Sequence, residues 1–237
     1  MKSKALSVCI ALAAAAWYPQ GIVAETVDIS TPNTSLLLDA TEGQPLKILY
    51  YGAKLNAADA AALVESGEAI NREAYPVYGI NPMAEAALSV THSDGNRTTA
   101  VGVTGVTTRD EKNGAKVTTV SMRDKVYPLG VDINYRTYPG YDIIETWAEI
   151  TNGEKGGITL NRFMSGYLGT WANETQLTEE PLPHGVRMIK NKDGLRNSHT
   201  AHSEVMLSLD GKPRENEGRV IGAALCYPGN YKVFVDT

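Results

Sequence analysis

Histidines, acid pairs and aromatic rings are the residues of this chain whose types and spacing could do chemistry. The four histidines are His92, His184, His199 and His202. His199 and His202 stand three apart, which puts two ligands on one face of a helix but on opposite faces of a strand. The segment from Ser198 to Leu209 reads as loop and then strand, with no cysteine partner and no second histidine pair, so no zinc site is expected there. A Gly-x-Ser-x-Gly elbow, a His-Glu-x-x-His pair and a glycine-rich phosphate loop are all missing. Gly102-Val103-Thr104-Gly105 sits inside a strand pattern. No metal and no cofactor is expected.

Acid pairs are plentiful. Asp142 and Glu145 border a strand, and Glu179-Glu180 reads as a solvated surface pair. A glycosidase needs two carboxylates facing each other across a sugar, about 5–5.5 Å apart for retention of configuration, and spacing in one sequence does not fix that distance. The aromatic residues say more: 12 Tyr and 3 Trp against 2 Phe. Tyrosine carries an apolar ring with a polar tip, which suits sandwich edges as well as a sugar-contacting surface. Trp147 lies in an alternating strand and reads as core. Trp171, in Leu168-Gly169-Thr170-Trp171-Ala172-Asn173-Glu174, has the small and polar neighbours of a loop. An indole presented from a loop can stack on the C–H face of a pyranose.

These groups must be positioned by strands. The pattern from Thr26 onward has period two, through Thr26–Ser30, Leu46–Tyr51, Ala87–His92, Val101–Val106, Val117–Met122, Val131–Tyr138, Ile143–Ile150, Ile158–Met164, Val205–Leu209, Val220–Leu225 and Val233–Val235. Ser93-Asp94-Gly95-Asn96 is a hairpin-type turn. Short strands at this spacing argue for an antiparallel sandwich. Asn56 through Ala69 is the single helix, alanine-rich, with Gly67 near its end. The fold class expected is all-β, an antiparallel β-supersandwich with one short helix.

Residues 1–24 read as a secretory leader: Lys2 and Lys4 open it, an apolar run extends from Ala5 to Trp17, and Ile22-Val23-Ala24 precedes cleavage. That run is shorter than the roughly 20 residues a bilayer span needs. Residues 25–237 form the sandwich domain, secreted or periplasmic. Cleavage leaves Cys226 as the remaining cysteine, so the domain holds itself by burial rather than by a disulfide. The net charge of −5 becomes about −7 without Lys2 and Lys4. An acidic domain speaks against nucleic acid as a partner. Three glycosylation sequons, at Asn33, Asn96 and Asn173, are read as chance behind a bacterial-looking leader.

Several segments, in order over nearly the whole mature chain, resemble the N-terminal domain of α-galactosidases of glycoside hydrolase family 36. They are Tyr50-Tyr51-Gly52-Ala53-Lys54-Leu55, Tyr75-Pro76-Val77-Tyr78-Gly79, Glu85 to Asn96, Asp142 to Glu154, Leu160 to Ser165, Gly169 to Glu174, Gly194 to His199, Glu217 to Leu225 and Pro228-Gly229-Asn230-Tyr231. The resemblance implies a large twisted β-supersandwich, followed in full-length members by a (β/α)₈ barrel. That barrel hydrolyses terminal α-linked galactose with retention, through one aspartate nucleophile and one aspartate acid/base. Its Lys-Trp-Asp-type motif is missing from these 237 residues, so the chain is expected not to cleave galactosides alone.

The same resemblance assigns residues. A Trp in the segment matching Gly169 to Glu174 helps wall the galactose pocket, a role that falls on Trp171 with Glu174 as its polar companion. Many members carry an Asp and, two residues on, an Arg after the Tyr-Gly motif. Here Gly79-Ile80-Asn81-Pro82-Met83-Ala84-Glu85 puts Pro82 and Ala84 in those places, and Asn81 is the residue left to replace part of the hydrogen bonding. The implied partners are α-galactosides, together with a catalytic barrel or neighbouring subunits, and no membrane in the mature form. An apolar, aromatic-rich patch facing that barrel is expected at the surface. Two other readings use the same residues: a free-standing carbohydrate-binding module led by Trp171, and an aldose epimerase-like enzyme with His199, His202 and Glu204 as acid and base.

Overall fold

The computed structural model describes residues 25–79 and 86–168, Cys226, and the backbone of four strands among residues 187–235. In chain order the elements are β1 (Thr26–Ser30), β2 (Thr34–Asp39), β3 (Lys47–Ala53), α1 (Ala57–Ser66), β4 (Arg72–Glu73), β5 (Leu88–Thr91), β6 (Val101–Asp110) and β7 (Lys116–Asp124). Then come β8 (Leu129–Thr137), β9 (Ile144–Asn152), β10 (Thr159–Phe163), β11 (Arg187–Lys190), β12 (Glu204–Ser208), β13 (Val220–Ala224) and β14 (Lys232–Val235). Two four-stranded sheets form, β1-β2-β3-β4 and β6-β7-β8-β9. Three two-stranded pairs, β5 with β10, β11 with β14 and β12 with β13, accompany them. Among the described residues every pairing between these strands is antiparallel. The all-β expectation with one short helix holds.

The helix shows how local signals end an element. The Asn56 side chain accepts a hydrogen bond from the Asp59 amide at 2.9 Å, the cap that Asn supplies at a helix start. At the other end Gly67 adopts φ 73°, a left-handed turn that glycine takes without a Cβ penalty, so α1 stops at Ser66 rather than reaching Ala69. None of its residues is buried. It is a connection from β3 to β4, not a core element.

Burial joins the two large sheets. Leu36, Leu38 and Ile48 from the first pack in one cluster with Val120, Met122, Leu129, Val131 and Ile133 from the second, and with Ala87, Leu88 and Val90 beside them. Full burial of each Leu, Ile, Val or Met side chain among them contributes about 1.5–3 kcal/mol relative to exposure. Backbone also meets backbone: Gly43 N donates to Val103 O at 2.8 Å and Val103 N to Gln44 O at 2.9 Å. A Cβ on Gly102 would lie 2.7 Å from Gly43 O, so only glycine lets the β2–β3 connection approach β6 this closely.

Alternation along β8 and β9 corrects one expectation. Leu129, Val131, Ile133 and Tyr135 point into the core, and register pairs the intervening Asn134 with Trp147. Trp147 therefore shares the outward face with Glu145 and Glu149 and is only part-buried. It is not a core residue.

Candidate functional site

At the end of β5 the chain enters the Ser93–Asn96 turn, where Gly95 takes φ 89°. His92 stands at its root, buried to 2% exposure. Its Nδ1 lies 2.7 Å from Glu154 Oε1 and its Nε2 3.1 Å from Thr99 Oγ1. The imidazole stacks on the Tyr127 ring, centroids 3.7 Å apart and planes at 11°. Glu154 Oε2 accepts from the Ser93 amide at 3.0 Å and the Ser93 hydroxyl at 2.7 Å. The hydrogen bond from His92, then those from Ser93, lower the Glu154 carboxyl from 4.5 to about 2.

Hydroxyl, imidazole and carboxylate stand here in the order of a nucleophilic triad. Chemistry needs access, and Thr99 is 0% exposed. The arrangement is a clamp that ties β5 to the loop after β9. The turn above it is equally fixed: Tyr127 Oη donates to Asp94 Oδ2 at 2.8 Å and accepts from Asn96 Nδ2 at 2.9 Å.

A second charged cluster lies on the outward face of the β6–β9 sheet. Arg136 sits between two carboxylates, with Nη1 2.8 Å from Glu145 Oε2 and Nε 3.0 Å from Glu111 Oε2. Its guanidinium lies 4.8 Å from the Trp147 ring centroid. The indole Nε1 donates to Glu149 Oε1 at 2.8 Å. Tyr138 Oη donates to Glu145 at 2.6 Å, and this bond, followed by those from Arg136, holds the Glu145 carboxyl below its ordinary range. An acid catalyst needs a carboxyl that keeps its proton near neutrality, and Glu145 is driven the other way. Asp142 is also committed: it accepts from Thr31 Oγ1 at 2.7 Å, Asn33 N at 2.7 Å and Asn33 Nδ2 at 2.6 Å, pinning the β8–β9 connection to the β1–β2 turn.

The residues to which the sequence assigns substrate contact are not among these. Asn81, with Pro82 and Ala84, and Trp171 and Glu174 lie outside the described residues, as do His184, His199 and His202. Glu204 opens β12, paired in register with Ala224. Among the described residues no group of three His, Cys, Asp or Glu side chains could hold a metal ion, and no helix is long and apolar enough to cross a membrane. Sequence reasoning missed the His92–Glu154 clamp. No spacing could have found it, since the two partners lie 62 residues apart and meet only once β5 and the loop after β9 are brought together.

Comparison with known proteins then places the chain. The model of the glycosyl hydrolase family 36 N-terminal domain matches residues 44–237. The chain belongs to this family. Among curated relatives, probable alpha-galactosidase G of Emericella nidulans is 24% identical over 155 residues, covering 60% of this chain and 21% of the relative. Alpha-galactosidase 2 of Hypocrea jecorina is 26% identical over 130 residues, 49% of this chain and 17% of the relative. The alpha-galactosidase of Lactobacillus brevis superposes with a TM-score of 0.70 at 21% identity, over 90% of this chain and 34% of that one. The alpha-galactosidase AgaA of Geobacillus stearothermophilus, in complex with stachyose, gives 0.71 at 17% identity over 90% and 35%. At these identities the superpositions show a shared fold. This family 36 chain spans about a fifth of the length of its curated relatives and about a third of the solved ones.

Proposed function

We propose that this chain is the non-catalytic N-terminal module of a retaining α-galactosidase, packing on a (β/α)₈ catalytic barrel and shaping the rim of its galactoside pocket. The observation that carries the reading is the family match over residues 44–237, joined to relatives named α-galactosidases of which it spans only a fraction. Trp171 walls the galactose, Glu174 supports it and Asn81 supplies a hydrogen bond to the sugar. The mature module is exported behind the leader of residues 1–24. Its carboxylates at Glu145 and Asp142 are spent on structure, which suits a module that leaves acid/base chemistry to its partner. Tyr141 (63% exposed), Ile143 (54%), Leu160 (48%) and Phe163 (45%) offer apolar surface for that partner to cover.

The test is complementation. The chain is co-expressed with the barrel segment of a family 36 relative, and galactose release from raffinose is measured. Activity that needs both pieces, with KM raised in Trp171→Ala, supports the reading. Galactose released by the chain alone, or no activity from the pair when both are folded, overturns it. Galactose bound by the isolated chain and lost in Trp171→Ala favours a free-standing binding module instead.

A further inference from the structure

Two places in the sequence set an asparagine directly before a glycine, Asn113-Gly114 and Asn152-Gly153. Asparagine is a thermolabile residue, and a following glycine leaves its side-chain amide least protected, because no Cβ keeps the next backbone nitrogen away from the asparagine Cγ. All four residues are exposed, so access to water does not separate the two sites. Their hydrogen bonds do.

Asn152 is held from both ends. Its Oδ1 accepts from the Glu154 amide at 2.9 Å and its Nδ2 donates to Gly156 O at 3.2 Å. The Gly153 amide donates to Pro128 O at 2.8 Å, and the residue after it is Glu154, anchored in the buried His92 clamp. Asn113 stands instead at the end of the β6–β7 hairpin. Among the described residues its side chain has no hydrogen-bond partner. Gly114 takes φ 74°, and its amide donates to Glu111 O at 3.0 Å, inside an outer bond from Glu111 N to Ala115 O at 2.7 Å. An exposed hairpin end opens at far lower free energy than a segment tied to a buried pair.

We propose that Asn113 is a site of spontaneous covalent modification, converting to aspartate and isoaspartate, and that the fold protects Asn152 from the same reaction. The Gly114 nitrogen gives up its proton and bonds to Asn113 Cγ. The Cγ–Nδ2 bond breaks, and Nδ2 leaves as ammonia with a proton replacing the one lost. The cyclic imide then takes up water: opening at Cγ gives aspartate, and opening at the backbone carbonyl gives isoaspartate. Nothing is oxidised or reduced, and water is the co-reactant. Isoaspartate carries the chain through an added methylene, which displaces the bond between Glu111 N and Ala115 O. Glu111, whose Oε2 lies 3.0 Å from Arg136 Nε, then loses its fixed place beside the guanidinium.

The test holds the purified full chain at mildly alkaline pH, folded and in urea, and maps aspartate and isoaspartate at both sites over time. In the folded chain Asn113 should convert about tenfold or more faster than Asn152, the effect expected of the two side-chain hydrogen bonds that Asn152 must first break. In urea the two rates should converge. Asn113→Gln should remove the product at the hairpin end and leave the Asn152 rate unchanged. In the converted fraction the Glu111 amide should exchange faster with solvent. Equal rates in the folded chain, an Asn113 that stays intact there, or a rate ratio that persists in urea would overturn the proposal.

Discussion

His92 Nδ1 and Glu154 Oε1 meet at 2.7 Å across 62 residues of sequence, with side chains 0% and 4% exposed. A buried pair of this kind is costly to break from one side, because the remaining partner keeps its desolvation without its hydrogen bond. His92→Phe preserves a ring to stack on Tyr127 but strands the Thr99 hydroxyl. The variant should lose about 2 kcal/mol or more of unfolding free energy. Urea denaturation followed by tryptophan fluorescence checks it, and a midpoint equal to wild type would show that the clamp carries no stability.

The same pair sets an acid dependence. Glu154 titrates near 2 in the folded chain against an ordinary 4.5. A carboxyl depressed by folding gives its full stabilisation above the ordinary value and loses it as pH falls toward the folded one. Wild type should therefore exceed Glu154→Gln by a constant margin above about pH 5, and the margin should close between about 4.5 and 2. Asp94, Asp142 and Glu145 shift in the same direction, so each adds to acid sensitivity with the same sign. Unfolding curves of both proteins at stepped pH check this, and an unchanged margin at the acid end would contradict it.

Arg136 provides the contrast. It contacts Glu111 and Glu145 with side-chain exposures of 25%, 32% and 23%, on a face open to water and salt. Screening and side-chain entropy reduce such pairs to about 1 kcal/mol or less. Arg136→Met should cost far less than His92→Phe, and raising the salt concentration should shrink that smaller cost further. Parallel urea curves at low and high salt measure both effects. A loss matching that of His92→Phe would mean that the cluster is shielded after all.

The strands were legible because burial on one side imprints period two. Val131–Tyr138 foretells β8, and Val117–Met122 foretells all but the ends of β7. β2 was not foretold: Ser35, Leu36, Leu37 and Leu38 are all buried, so the segment reads as an unbroken apolar run without alternation. Two-residue β4 lies below any pattern, since two residues hold no period. Trp147 was misplaced by residue type, although Ile144-Glu145-Thr146-Trp147-Ala148-Glu149-Ile150 already sets it in phase with two glutamates. The different settings of Asn113 and Asn152 were not legible, because both read Asn-Gly and differ only in what the fold places against them. The residues proposed for substrate contact rest on family resemblance alone, since loops carry no periodicity from which a role could be read.

Gly102 offers a test of how the two large sheets are brought together. Its missing Cβ admits the Gly43 carbonyl, and the hydrogen bonds between Gly43, Gln44 and Val103 run directly beside it. Backbone cannot rotate aside as a side chain can, so a methyl at 2.7 Å from an oxygen must push the β2–β3 connection away from β6. Gly102→Ala should cost about 1–3 kcal/mol, at a site where the added methyl itself buries apolar surface. Gly105→Ala, three residues along the same strand with nothing within 4 Å of its Cβ, serves as the control and should be near neutral. Hydrogen exchange locates the effect: the Gly43 and Val103 amides should lose protection in Gly102→Ala and keep it in Gly105→Ala. Equal protection in the two variants would mean that the connection yields without strain, and the close approach would then be a consequence of the fold rather than a condition for it.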